Sequence, residues 1–316
     1  MSPATKLLAG VELGGTKCVC ILGTGPEDVR AVERLPTGER EETLRQIESV
    51  LDRWRSQHGS PRALGVASFG PVDLRPESPT YGFITSTTKA GWRDTDVAQR
   101  FGRRVGAPVA FDTDVNGAAL AEGRWGAAVG LDDFAYVTVG TGIGVGLIVR
   151  GRPIFGMNHT ELGHIRVVRK AGDKFAGVCP FHGDCIEGLA SGPAIEARVG
   201  MPASKLPPDH PAWDFVAHGL AQLIHGMVLT TAPSRIFLGG GVMSAQTHLF
   251  ERIQQELKRS LNRYVEAPQL EQGLGQFIVP PGLGTMAGPL GALALAADAE
   301  IGATAVNTPV ITAASR

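Results

Sequence analysis

His164, Cys179, His182 and Cys185 stand in the pattern H-x14-C-x2-H-x2-C. Two imidazoles and two thiols at such loop spacing make a closed tetrahedral set for Zn²⁺, and with no position left for a reacting water such a metal would be structural. The alternative is buried thiols without a metal. That suits Cys18 and Cys20, which share one face of a strand, better than a polar segment holding Pro180, Gly183 and Asp184. Asp112 and Asp114 lie where a short strand, 108–111, gives way to a helical pattern over 115–124. A carboxylate at that junction can project outward and accept a proton, although Asp also serves there as a plain helix cap. Glu12 precedes Gly14, Gly15, Thr16 and Lys17. Mg²⁺ is usually held by one or two carboxylates with phosphate oxygens, so Glu12 is a candidate contact, against the alternative of a buried strand acid bonded to backbone.

The elements that position these groups are legible from the pattern. Residues 7–13 read as a strand, Gly14 to Lys17 as a turn and 18–22 as the returning strand; 134–139, the turn Gly140, Thr141, Gly142 and the run 145–149 repeat that grammar. Backbone N–H groups in such turns, with the Thr16 and Thr141 hydroxyls, can donate to phosphate oxygens, and two related lobes could hold one phosphate chain in a cleft. Each turn alone could equally be a Gly-rich hairpin. Lys17 either reaches phosphate or is a solvated hairpin lysine. GVELGGTK ends in Thr-Lys where a P-loop has Lys-Ser/Thr, and neither turn has the GxGxxG spacing or a following helix, so P-loop and Rossmann readings are rejected. A third cluster, Gly239, Gly240 and Gly241, follows the apolar run 236–238 and precedes a helix expected near Ser244; bare backbone there would let an adenine or ribose lie close. Helical spacing marks Leu44, Ile47, Leu51 and Trp54, then Val97, Phe101 and Val105, then 215–228, with a last short strand within 269–284 and a small-residue helix over 289–299. Alternating strands and helices argue an α/β fold. Residues 302–316 read as an unperiodic tail.

Composition excludes several classes. At 316 residues the chain has room for two domains, and a net charge of −1 lacks the field of a nucleic-acid or polybasic membrane binder. Glycine is the outlier, 42 residues where usage of about 7% would give roughly half as many. No apolar stretch is long enough to span a membrane and the start lacks a signal-peptide pattern, so a cytoplasmic protein with reduced cysteines is expected.

GGTK after the first strand, FGPV at 69–72, DTDVN at 112–116, GTGIGVG, ELGH at 161–164 and the late LGGGV together resemble the ROK family of sugar kinases, over 10–296 and in order. Glu12 where most members carry aspartate, STTKAGW at 86–92 and CPFHGDC at 179–185 are similar to its fructokinase branch; the usual CxCGxxGC metal segment is absent.

The resemblance implies an α/β, two-lobed actin-like ATPase (ribonuclease H-like) fold with an inter-lobe cleft, one lobe formed by 1–113 with 289–316 and the other by 114–288. It implies Asp114 as catalytic base, ATP phosphates on Gly14 to Lys17 and on Gly140, Thr141 and Gly142, and the adenosine near Gly239 to Gly241. The sugar would be held by Gly70, Asn116, Glu161, the metal-bound His164 and Glu187. Trp92 either packs over the sugar or plugs the core. The activity implied is ATP- and Mg²⁺-dependent phosphorylation of a hexose, fructose to fructose 6-phosphate, with mannokinase or glucokinase as the alternative. A non-catalytic sugar-sensing regulator is more remote, since only nine residues precede Gly10 and a DNA-binding segment is not expected there. Small-molecule partners only, and a homodimer as in many family members, are implied. A branched side chain at Gly142 is expected to obstruct ATP and spare the sugar residues.

Overall fold

The computed structural model describes residues 7–271 and 273–306. Residues up to Gly117 together with those from Gly288 onward form one compact unit, and Ala118–Ala287 forms the other. Asp114 and Asn116 therefore group with the first unit, on the other side of the boundary from that expected.

In the first unit, β1 (Leu8–Leu13), β2 (Lys17–Gly25), β3 (Asp28–Pro36), β4 (Ala63–Ser68) and β7 (Val109–Thr113) form one sheet in the order β3-β2-β1-β4-β7. A separate small hairpin joins β5 (Phe83–Ile84) and β6 (Thr95–Asp96). β1 is antiparallel to β2 and parallel to β4, and β4 is parallel to β7. Both β1 and β4 are almost entirely buried because helices cover both faces of the sheet. The helix Arg40–His58 buries Leu44, Ile47, Leu51 and Trp54, and Ala98–Val105 buries Phe101 and Val105. The final helix, Ala287–Val306, approaches the strands through small residues: a Cβ on Gly65 would fall 1.8 Å from Ala292 O. Its residues 302–306 continue as helix where a tail was expected, and 307–316 lie outside the described residues.

The second unit repeats that order. β8 (Phe134–Val139), β9 (Ile143–Val149), β10 (Arg152–Pro153), β11 (Arg235–Gly239) and β12 (Ile278–Val279) pair as β10-β9-β8-β11-β12. Here too a hairpin occupies the centre, with an antiparallel strand outside it and two parallel strands on the other flank. The helices Ala212–Thr231 and Leu249–Leu261 pack on this sheet around Trp213, Leu220, Ile224 and Leu257.

β3 was not anticipated. Its Arg30 and Arg34 are exposed and its Glu33 pairs with Arg53 at the sheet edge, where charge blocks pairing with another chain and also hides the strand from an apolar pattern.

Candidate active site

In the first unit the predicted residues gather at the carboxyl edge of the sheet. Leu13, Ser68 and Thr113 are register neighbours at the ends of β1, β4 and β7, so the first glycine turn, Gly70 and Asp114 all leave from one edge. Loops at that edge of parallel strands are where α/β sheets place ligands. Gly14 N–H closes the turn on Lys17 O at 3.0 Å, and Gly15, Thr16 and Lys17 stay exposed.

Glu12 lies one residue inside the end of β1. Burial pushes its carboxyl up to about 7, against the pull of Lys17 and Arg34. Its carboxyl occupies space left by Gly288: a Cβ there would fall 2.1 Å from Glu12 Oε1.

Asp112 and Asp114 have different surroundings. Asp112 accepts Asn116 Nδ2 at 2.8 Å and Thr113 N–H at 2.6 Å, and burial pushes its carboxyl up to about 6. Asp114 is the first residue of the helix Asp114–Trp125, half-buried, with Oδ1 accepting Val115 N–H at 2.9 Å. The Asn116 side chain, expected in the sugar site, is buried and gives a donor to Asp112. Trp92 is fully buried, edge-on to Phe69 at 5.4 Å, which makes it a core plug.

In the second unit, Gly239 pairs with Thr138, so the turn after β8 and the third glycine cluster leave the same sheet edge. Gly192 N–H holds Gly140 O at 2.7 Å. Gly240 has φ +89° and starts the helix Gly241–Ala245, which begins three residues before the expected Ser244.

Glu187, in the helix Ile186–Ala190, ties this turn to the Cys/His cluster. Its Oε2 accepts Ile143 N–H at 3.0 Å while Oε1 lies 3.9 Å from His164 Nε2. A Cβ on Gly142 would fall 2.6 Å from Glu187 Oε2. A branched residue at Gly142 would therefore displace Glu187 as well as obstruct the turn, and the expected separation of the two effects does not hold. Glu161 is exposed, its side chain keeping 40% exposure with Oε1 3.5 Å from Nδ1 of the largely covered His159 side chain. Surrounding protein and the nearby Glu187 charge push its carboxyl up to about 7.

The four Cys and His side chains come together, their ligand atoms all within 4.8 Å of one another. His164 Nδ1 lies 3.7 Å from Cys179 Sγ and 3.5 Å from Cys185 Sγ, and His182 Nδ1 lies 3.6 Å from Cys179 Sγ. A tetrahedral cation with bonds of ~2.3 Å to sulfur and ~2.1 Å to nitrogen requires N···S edges of about 3.6 Å, which these three edges match. Burial pushes the Cys185 thiol up to about 11, so a cation would be needed to hold it as thiolate. Ligation through Nδ1 leaves His164 Nε2 facing Glu187.

Sequence reasoning missed His159 and Lys89. Lys89 lies within STTKAGW and donates to Gly15 O at 2.7 Å.

The model of the ROK family matches residues 8–299. This chain belongs to the ROK family. It is 42% identical to a fructokinase of Zymomonas mobilis, over 93% of this chain and 98% of that protein. A fructokinase of Pediococcus pentosaceus is 39% identical, over 92% and 97%. Among solved structures, a ROK hexokinase from Thermus thermophilus superposes with a TM-score of 0.74 at 26% identity, covering 93% of this chain and 99% of that one. The fold is that of the actin-like ATPases, as expected. Among the described residues no helix is long and apolar enough to cross a membrane.

Proposed function

We propose that this chain transfers the γ-phosphoryl group of ATP to fructose, giving fructose 6-phosphate. The observation that carries this is the pair of fructokinase relatives matched at 39–42% identity along more than nine-tenths of both chains. The placement of acids and turns supports it. Phosphoryl transfer requires positioning, charge stabilisation and a base for the acceptor hydroxyl.

Asp114 takes the hydroxyl proton as the sugar oxygen attacks the γ-phosphorus. Asp112 has its oxygen committed to Asn116, so its part is to hold the junction. Glu161, Glu187 and His164 Nε2 bind sugar hydroxyls. The glycine turns donate backbone N–H groups to the phosphates, and Gly239 to Gly241 leave room for adenosine. Zn²⁺ on His164, Cys179, His182 and Cys185 would fix the His164 ring through Nδ1. Mg²⁺ near Glu12, when bound, neutralises charge on the transferring phosphates.

The space at Gly288 gives a test of Glu12. Gly288→Ala is expected to push the Glu12 carboxyl aside and raise the Mg²⁺ concentration for half-maximal rate by about tenfold, with the KM for fructose little changed. The shorter acid of Glu12→Asp in the Gly288→Ala background should recover part of that loss. An unchanged Mg²⁺ dependence in Gly288→Ala would remove Glu12 from the role.

The activity itself is checked by ADP release from purified protein with Mg²⁺ and ATP. Release should require fructose and yield one sugar phosphate per ADP; release at the same rate without sugar would refute the transfer.

A further inference from the structure

The turn after β1 is gripped from one side. Gly14 O accepts the Thr37 hydroxyl at 2.7 Å, and Thr16 O accepts Thr37 N–H at 2.9 Å. Between them, Gly15 O accepts Lys89 Nζ at 2.7 Å. The same ammonium also donates to Thr37 O at 2.9 Å, so Lys89 and Thr37 form one bracket around three consecutive carbonyls. Trp92 Nε1 donates to Gly38 O at 3.1 Å and fastens the segment that delivers Lys89 to the residue next to Thr37.

This bracket has a geometric consequence. In a planar trans peptide the carbonyl and the N–H point in opposite directions. Carbonyls of Gly14 and Gly15 held on the bracket side turn the N–H groups of Gly15 and Thr16 to the other side. Successive backbone N–H groups turned to one side form an anion-binding concavity. The bracket also places the Lys89 ammonium one hydrogen bond from the turn's backbone. The Lys17 side chain, which the sequence singles out, is exposed and at the far end of the turn.

We propose that Lys89 is the positioning residue of the first phosphate turn, acting through the Gly15 and Thr37 carbonyls to aim the turn's N–H groups at nucleotide phosphate. The inference rests on the reading that this turn binds phosphate at all, and the test separates the two. Gly15 supplies the control. A Cβ there meets no protein atom within 4 Å, so the side chain of Gly15→Val starts into open space beside the turn's N–H groups, where an anion would approach.

The experiment compares Lys89→Met, Lys89→Arg and Gly15→Val with the parent chain by calorimetry of a non-hydrolysable ATP analogue, adenosine and fructose. Loss of the charged donor in Lys89→Met should weaken the ATP analogue by about tenfold or more, with adenosine and fructose held within about twofold. Lys89→Arg, which keeps charged donors, should recover most of the loss. In steady state the KM for ATP should rise more than kcat falls. Unchanged analogue affinity in Lys89→Met, with a loss in Gly15→Val, would overturn the role of Lys89 alone. Unchanged affinity in Gly15→Val would overturn the phosphate reading beneath it. Equal weakening of all three ligands in Lys89→Met would mark a general structural part and also reject the proposal.

Discussion

Asp114→Asn is expected to lower kcat by about 10²-fold or more while ATP binding changes little. A positioned general base contributes roughly 10²–10⁴-fold, and asparagine keeps the size of the side chain but cannot take the proton. The local structure makes the variant a clean probe. The oxygen of an asparagine side chain can still accept the Val115 N–H that Asp114 Oδ1 accepts at 2.9 Å, so the helix start is preserved. Asp112→Asn is the paired control, because its remaining oxygen can still accept from Asn116 and Thr113 and the change leaves Asp114 in place as the base. Single-turnover rates with both variants check this. Near-parental kcat in Asp114→Asn, or an equal loss from Asp112→Asn alone, would move the base elsewhere.

Removing the metal should have the second large effect. Structural Zn²⁺ sites carry on the order of 10 kcal/mol of apparent binding free energy, enough to decide whether the segment from His164 to Cys185 is ordered. Without the proposed ion, His164 would lack the bond at Nδ1 that would aim Nε2 toward Glu187, 3.9 Å away. Loss of one charge-assisted hydrogen bond to the sugar raises the KM for fructose by about tenfold, and Tm should fall with it. ATP affinity should change less, although not by zero, since Glu187 also holds Ile143 N–H at the second turn. Cys179→Ser or Cys185→Ser should reproduce the chelated state. Elemental analysis checks the premise: protein without stoichiometric zinc, or full fructose affinity after verified removal, would contradict it.

What the sequence made legible was local. The H-x14-C-x2-H-x2-C spacing sits within one segment, and the side chains meet as the spacing suggested. Helices carried by Leu44, Ile47, Leu51 and Trp54 announce themselves by period because one face packs on a sheet. The two hairpins were visible from their turns, but the shared five-strand order was not, since β3 and β10 carry little apolar signal. Long-range pairings were invisible for a different reason. Nothing in the chain near Glu12 reports that Gly288 leaves room for its carboxyl, nor near Gly15 that Lys89 grips it. Gly142 shows how such pairings mislead: read alone it is a phosphate turn, yet its missing Cβ also makes room for Glu187. Trp92 was open between sugar stack and core until its burial settled it.

The central claim is fructose as the preferred acceptor, and a competition tests it most directly. Purified protein is given ATP, Mg²⁺ and equimolar fructose, mannose, glucose and N-acetylmannosamine, and the sugar phosphates are resolved at early conversion, so that their ratio equals the ratio of kcat/KM values. Fructose 6-phosphate should predominate. Glucose 6-phosphate or a mannose phosphate formed faster than fructose 6-phosphate would contradict the assignment.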